Sequence, residues 1–227
     1  METDIQKAQA WLNSPFNGNL AESLAFSNEL LITLQKLITE NDELKRTLGP
    51  LIGKIKGTQQ TLMAIELVDW VPINKGHLAI GHRPSAKLIS DLKLQKATHI
   101  LTLLSEHEGA LLIKTTTHQQ QMDWLWFPME SAKPPAEEEL KVLAQVFVQM
   151  DEILNNGGKI YLHCSAGIHR TGMISYAFLR FIGNEHEEAI QVLQYLRAVT
   201  GDGVGEERVA WGNSIQEKLK AYIRKAD

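Results

Sequence analysis

The hydrophobic pattern divides the chain into a helical N-terminal stretch and a longer stretch in which strand and helix patterns alternate. In residues 1–60, apolar residues recur mostly at spacings of three, four or seven, as on one face of a helix. Asn19, with Glu22 three residues later, marks a helix start, and Gly49-Pro50 interrupts the pattern. We therefore predict one long helix that ends at Gly49-Pro50, followed by a shorter helical segment.

This N-terminal extension has two alternative roles. Its apolar face packs against the rest of the chain, or it pairs with the same helix of a second copy to form a homodimer. Ser27 and Asn41 interrupt the apolar seam, and its register slips near Leu44, which weakens the case for a coiled coil.

Residues 61–227 show the alternation of an α/β domain. We predict strands at residues 64–71, 78–81, 99–104 and 121–127, and a further strand directly before Cys164. Helices are predicted at 84–96, 134–154, after Cys164 up to Gly183, and on either side of a glycine-rich turn at 201–205. The predicted fold is α/β, with a central, mostly parallel sheet flanked by helices and a helical N-terminal extension.

The segment around the one cysteine of the chain predicts an anion site. Cys164 follows a short apolar strand, and a loop that contains Gly167 leads into an apolar helix. Backbone N–H groups of such a loop converge on one point, where the helix dipole adds positive charge. Arg170 can offer its planar fork to two oxygens of a phosphate.

The same positive environment acts on the sulfur. A free cysteine has a pKa of about 8.5, and helix N-termini and nearby cations lower it to roughly 3.5–7.5. Thr171 can donate its hydroxyl to the thiolate and stabilise it as nucleophile and as leaving group. We therefore predict that Cys164 is a nucleophile.

Composition limits the context. The net charge is −4, from 23 basic and 27 acidic residues, so we expect neither nucleic acid nor a membrane as partner. A single cysteine excludes an internal disulfide, and the acidic N-terminus is unlike a signal peptide, so we expect a reducing, cytoplasmic location. The histidines have no metal-ligand spacing, and we expect no metal and no cofactor.

His163-Cys164, five intervening residues and Arg170-Thr171 resemble the signature of the cysteine-dependent protein tyrosine phosphatase superfamily, and most closely its dual-specificity branch. The resemblance covers roughly residues 62–200. It implies that Cys164 forms a phosphocysteine and that Arg170 and Thr171 assist it. It also implies a supporting role for His163. The phosphate then lies against the loop residues, which are Ser165, Ala166, Gly167, Ile168, His169 and Arg170. His169 either lines the pocket rim or points outward.

The resemblance fails at the expected general acid. Relatives have an aspartate about thirty residues before the cysteine, and Ser131 occupies that place here. Glu130 is the first candidate to replace it, and Asp123 and Asp202 are the others; the remaining alternative is that there is no dedicated acid.

Three functions follow from these residues. The first is a phosphatase that hydrolyses phosphotyrosine, with phosphoserine and phosphothreonine as further substrates, in a phosphorylated protein or a small phosphoester. The second is a phosphate-binding module with weak or no catalysis, which Ser131 favours. The third is another thiolate enzyme, such as a sulfurtransferase or an arsenate reductase. The loop positions where phosphoinositide-specific relatives have lysines hold Ser165 and Ile168, so a lipid headgroup is disfavoured.

Overall fold

The chain forms two compact units. A computed structural model describes residues 2–224, and it divides the chain into residues 1–67 and 68–227. Each unit has a hydrophobic core of its own. The division lies a few residues beyond the predicted boundary at residue 60, because the last helix of the first unit continues to Met63.

The N-terminal unit consists of three helices. They are α1 (Glu2–Asn13), α2 (Leu20–Glu40) and α3 (Lys45–Met63), with a short 3-10 helix (Asp42–Leu44) before α3. Asn19 caps α2 as predicted: its side chain accepts the backbone N–H of Glu22 and donates to the Glu22 carboxylate. The apolar positions of the three helices meet in one cluster, centred on Leu34, Leu48, Ile55 and Leu62.

The predicted break at Gly49-Pro50 is wrong. The first long helix ends at Asn41, whose backbone is extended and whose side chain accepts the N–H of Glu43. Pro50 lies inside α3, where it removes one helical hydrogen bond. The helix continues through it because Leu48, Ile55 and Leu62 are buried on one side.

The polar interruption of the apolar seam at Ser27 has a structural explanation. Ser27 is fully buried, and Gln59 of α3 donates to its hydroxyl and to the Asn28 side chain, at 2.8 Å each. A buried polar group with a partner costs far less than an unpaired one. The polar pair therefore fixes α2 against α3 within the unit. The two roles considered for this extension, including a homodimer, stay predictions.

The larger unit is built on a five-stranded sheet. The strands are β1 (Val71–Ile73), β2 (Gly76–Gly81), β3 (His99–Leu104), β4 (Asp123–Met129) and β5 (Lys159–His163). Their order is β1-β2-β5-β3-β4, and all neighbours are parallel except β1 and β2. The predicted α/β class with a mostly parallel sheet is confirmed.

Helices cover both faces of this sheet. Helices α4 (Ala86–Leu94) and α5 (Ala110–Gln119) pack on one face. The other face is covered by α6 (Leu140–Asn155), α7 (His169–Phe181) and α8 (His186–Leu196), and the C-terminal helices add to the same core. The C-terminal helices are α9 (Ala198–Gly203), α10 (Glu206–Ser214) and α11 (Gln216–Arg224).

Three elements differ from the prediction. The strand predicted at 64–71 is absent apart from its last residue; the segment is instead held by the Gln95 side chain, which accepts from Val68 N and Trp70 Nε1. Helix α5 was not predicted, because its three consecutive threonines have low helix propensity. The turn at 201–205 is helical up to Gly203.

The carboxyl ends of the parallel strands share one edge of the sheet. Cys164 directly follows β5, and the loops after β2, β3 and β4 lie beside it. Open α/β sheets bind their ligands at this edge. Within residues 2–224, no helix combines the length and apolarity needed to span a membrane.

We expect Leu34→Ala to destabilise the N-terminal unit by about 2–5 kcal/mol, because Leu34 is fully buried in its core. Ile32→Ala is the matched control, since Ile32 lies on the same helix and is 67% exposed. Hydrogen exchange resolved by peptide, read over α1 to α3, measures the effect. Equal loss of protection in both variants would contradict the packing described.

Candidate active site

The loop between β5 and α7 forms the predicted strand–loop–helix arrangement. Cys164 stands at the end of β5 and is 3% exposed, and α7 begins at His169. The sulfur accepts a hydrogen bond from the Gly167 N–H at 3.2 Å. The loop thus curls around the sulfur at the N-terminus of a helix of 13 residues.

The loop's carbonyl groups are held by residues outside it. Arg83 N donates to the Ser165 carbonyl at 3.0 Å, and the Thr200 hydroxyl donates to the Gly167 carbonyl at 2.6 Å. Arg197 Nη1 also donates to the Gly167 carbonyl, at 2.9 Å. Since these oxygens are occupied elsewhere, the opposite N–H groups of the loop are left to face an anion.

Gly167 is required at its position by sterics. Its φ is +73°, a conformation that costs glycine little and other residues much. A Cβ there would lie 2.3 Å from the Gly81 carbonyl carbon and oxygen at the end of β2. The loop therefore packs against β2 more closely than any side chain allows.

Hydrogen bonds to the sulfur lower the pKa of Cys164. Burial alone would raise it. The Thr171 hydroxyl and the N–H groups of Thr171 and Gly167, together with the charge of Arg170, outweigh that penalty, and the pKa falls below its ordinary value. The Thr171 hydroxyl is fully buried and has no hydrogen-bond partner of standard geometry among the described residues, so its contribution comes from proximity to the sulfur.

Arg170 is clamped by two neighbouring loops. Its Nη1 and Nη2 donate to the two carboxylate oxygens of Glu108, at 2.6 and 2.8 Å. Nη1 also donates to the carbonyl of Met129 at 2.7 Å. Glu108 lies in the turn after β3, and Met129 is the last residue of β4. Arg170 is 8% exposed, and its side chain connects the start of α7 to the ends of β3 and β4.

These contacts leave one edge of the guanidinium available. The Nη1 protons and one Nη2 proton are used, and within residues 2–224 the remaining donors on Nε and Nη2 meet no protein oxygen. Nε–H and the outer Nη2–H lie side by side, which is the geometry that binds two oxygens of one oxyanion. The site can therefore hold a tetrahedral oxyanion beside the sulfur.

Sequence reasoning missed Glu108. The ion pair lowers its pKa to about 2 from an ordinary value of 4.5. The stabilisation that it contributes is thus complete above about pH 4.5 and is lost as the pH falls through about 2. No local pattern marks this residue, because it is 62 positions from Arg170. Arg197 and Thr200, which hold the loop carbonyls, were missed for the same reason.

His163 supports the loop from the opposite face of the sheet. Its Nδ1 lies 3.1 Å from the Cys164 carbonyl, which only accepts, so Nδ1 is the protonated nitrogen. Nε2 then accepts from the Thr102 hydroxyl at 2.9 Å, and Thr102 accepts from Trp124 Nε1 at 2.8 Å. Burial lowers the pKa of His163 to about 4, so it is neutral at pH 7. This geometry agrees with a supporting role.

The candidate acids lie in different places. Glu130 is exposed and directly follows Met129, at the site edge of β4. Asp123 begins β4 at the opposite end of that strand and pairs with His99, so the structure removes it from the site. Asp202 accepts from Gln194 at 2.9 Å, in a cavity between α8, α9 and α10. Ser131 accepts the Lys133 N–H within its own loop.

The remaining predicted residues line the outer part of the loop. Ser165, Ala166 and His169 are exposed, and Ile168 is half-buried. Whether His169 contacts a substrate stays a prediction. Among the described residues, no group of three His, Cys, Asp or Glu side chains is arranged to hold a metal ion.

Residues 84–184 match the family model described as "Polymorphic toxin system, DSP-PTPase phosphatase". The resemblance to dual-specificity phosphatases is confirmed. The matched segment runs from the start of α4 past the end of α7 and so includes the Cys164 loop of this phosphatase-type domain. No curated protein matches the chain.

Solved structures show the same fold for this phosphatase-type domain. Kinase-associated phosphatase, with its catalytic cysteine replaced by serine, has a TM-score of 0.59 at 16% identity, over 70% of this chain and 98% of that one. PTPMT1 has a TM-score of 0.53 at 18% identity, over 69% and 99%. The PP-IP phosphatase SIW14 of S. cerevisiae has a TM-score of 0.50 at 13% identity, over 72% of this chain and 96% of that one.

We expect Thr171→Val to raise the pKa of Cys164, because it removes the buried hydroxyl near the sulfur that contributes most to lowering this pKa. The rate of Cys164 alkylation by iodoacetamide, measured against pH, should reach half its maximum at a higher pH than in the native protein. Ser175→Ala is the control, because Ser175 is also a buried hydroxyl, one turn further along α7. An unchanged midpoint in Thr171→Val would contradict the assignment.

We expect Glu108→Gln to weaken tungstate binding by roughly tenfold to a hundredfold, since charged hydrogen bonds contribute about 1.5–3 kcal/mol and Arg170 loses its clamp. Calorimetric titration with tungstate measures the affinity. The matched control is Glu106→Gln in the same turn, where the side chain is exposed and has no ion pair within the described residues. Similar affinities for both variants would show that the ion pair does not position Arg170.

Proposed function

We propose that this protein is a cysteine-dependent phosphatase that hydrolyses phosphotyrosine, with phosphoserine and phosphothreonine as further candidate substrates. One observation supports this most directly. The loop holds a buried thiol of lowered pKa beside a clamped arginine that keeps one donor edge available. A thiolate and a planar oxyanion clamp on one loop are the two parts that phosphoryl transfer to sulfur needs.

The first step forms a phosphocysteine. The Cys164 thiolate attacks phosphorus, the S–P bond forms and the P–O bond to the leaving group breaks. Arg170 and the loop N–H groups hold the three equatorial oxygens. Glu130, in its protonated form, gives its proton to the leaving oxygen.

The second step releases phosphate. Water attacks the phosphorus of the phosphocysteine, the S–P bond breaks and the thiolate is restored. Glu130, now a carboxylate, takes the proton of the attacking water. Thr171 stabilises the departing thiolate from the buried side of the sulfur. No cofactor takes part in either step.

The substrate class follows from the loop residues. Ser165 and Ile168 add no charge where a lysine would favour an inositol phosphate. Among proteins of the same fold, PTPMT1 has been solved in complex with PI(5)P, and SIW14 is a PP-IP phosphatase. We therefore place a phosphorylated protein first and a small phosphoester second, in a cytoplasmic setting.

A phosphate-binding module with little catalysis is the second candidate. Ser131 favours it, because the loop after β4 lacks the aspartate expected there and the Ser131 hydroxyl is used within the loop. Such a module would keep the oxyanion site and the intact Arg170 clamp without efficient turnover.

The pH–rate profile of an aryl phosphate separates these functions. For the native chain we expect a bell-shaped plot of kcat/KM against pH. The basic limb of this plot should disappear in Glu130→Gln, because the variant has no acid that loses its proton as the pH rises. Glu138→Gln, a nearby exposed glutamate, should keep the native bell, and Cys164→Ser should give no turnover. Turnover by Cys164→Ser would exclude the thiolate mechanism. A native chain that binds tungstate without turnover would establish the binding module.

A further inference from the structure

Arg83 reaches across the end of the strand that precedes Cys164. It lies two residues beyond β2, and β5 separates β2 from β3 in the sheet. Its Nη2 nevertheless lies 2.7 Å from where a Cβ of Gly109 would be, in the turn after β3. The side chain therefore spans the edge of the sheet between the Cys164 loop and the turn that contains Glu108.

The backbone around Arg83 is fixed. The Arg83 N–H donates to the Ser165 carbonyl at 3.0 Å, and the carbonyl of His82 accepts from the Tyr161 hydroxyl at 2.9 Å. Gly81 and His82 also lie against Gly167. The structural contribution of this segment to the loop thus comes from its main chain, and the Arg83 side chain is free for another task.

Within the described part of the chain, no carboxylate pairs with the charge of Arg83. Both oxygens of Glu108, the carboxylate beside Gly109, accept from Arg170. Within residues 2–224, Arg83 makes no side-chain hydrogen bond and no ion pair, and the residue is exposed. Arg170 is balanced by Glu108, and the Arg197 side chain donates to the loop carbonyls, whereas the charge and the donors of Arg83 are available to a ligand.

We infer that Arg83 forms a subsite for a second anionic group of the substrate, a carboxylate next to the phosphotyrosine of an acidic phosphopeptide. The inference rests on the proposed function and adds a substrate preference to it. A guanidinium at a solvent-exposed rim suits an extended chain that passes over the site, because the peptide brings its own carboxylate while the phosphate occupies the loop.

Two phosphotyrosine peptides that differ only in a flanking Asp or Asn test this subsite. In the native chain we expect kcat/KM to be roughly fivefold higher for the Asp peptide than for the Asn peptide. This ratio corresponds to about 1 kcal/mol, which an exposed charge pair contributes. In Arg83→Gln the ratio should fall to about one. The ratio within each variant is the readout, so a general loss of activity cancels.

Lys93→Gln is the matched control for net charge. Lys93 donates to the carbonyl of Gln121, which lies at the amino end of the sheet away from the site. The Lys93→Gln variant should keep the native ratio of kcat/KM between the Asp and Asn peptides. Equal ratios in the native chain and Arg83→Gln, or loss of the preference in Lys93→Gln as well, would overturn the subsite.

A binding measurement keeps this result separate from the proposed function. If the native chain turns over neither peptide, the phosphatase proposal fails, and the two peptides are compared by fluorescence anisotropy on Cys164→Ser with and without Arg83→Gln. The Asp preference, lost with Arg83, would still support the subsite. Equal binding of both peptides, with Arg83-dependent binding to anionic phospholipid vesicles, would overturn the peptide assignment.

Discussion

The guanidinium of Arg170 joins the ends of three parallel strands. It belongs to the first turn of α7, which follows the loop after β5, and it donates to Glu108 after β3 and to the last carbonyl of β4. The ion pair with Glu108 and the bond to Met129 therefore tie the start of α7 to the turn after β3 and to the end of β4. Because one planar guanidinium makes all of these hydrogen bonds, the fold sets the position of its remaining donors on Nε and Nη2. These donors are therefore in place before an oxyanion binds.

The same ion pair explains what stabilises the thiolate. Glu108 pairs with Arg170, and the charge of Arg170 is the last of the contributions that lower the pKa of Cys164. The larger contributions are the Thr171 hydroxyl and the backbone N–H groups of the loop. Those groups converge only because the loop carbonyls bond to Arg83, Arg197 and Thr200, and because Gly167 adopts a positive φ. Donor groups near the sulfur, more than the charge of Arg170, lower the pKa of Cys164.

Local sequence was sufficient for the centre of the site and insufficient for its surroundings. Cys164, Gly167, Arg170 and Thr171 are consecutive enough for spacing alone to place them on one strand–loop–helix segment. Glu108 comes from a turn that only the sheet order brings next to Arg170. The helix break predicted at Gly49-Pro50 is wrong for a different reason. Burial of Leu48 and Ile55 overrides the local preference of Pro50 to end a helix, and the break lies at Asn41 instead.

The loop after β4 determines which leaving groups the site can expel. A phenolate leaves readily because the pKa of a tyrosine hydroxyl is about 10, whereas an aliphatic alkoxide is a far stronger base and needs a proton as the bond breaks. With Ser131 in the usual position of the acid, protonation in the proposed mechanism depends on Glu130, one residue nearer to the carbonyl that anchors Arg170. In that mechanism, aryl phosphates such as phosphotyrosine are least affected by the absence of the expected aspartate, and phosphoserine and phosphothreonine are most affected.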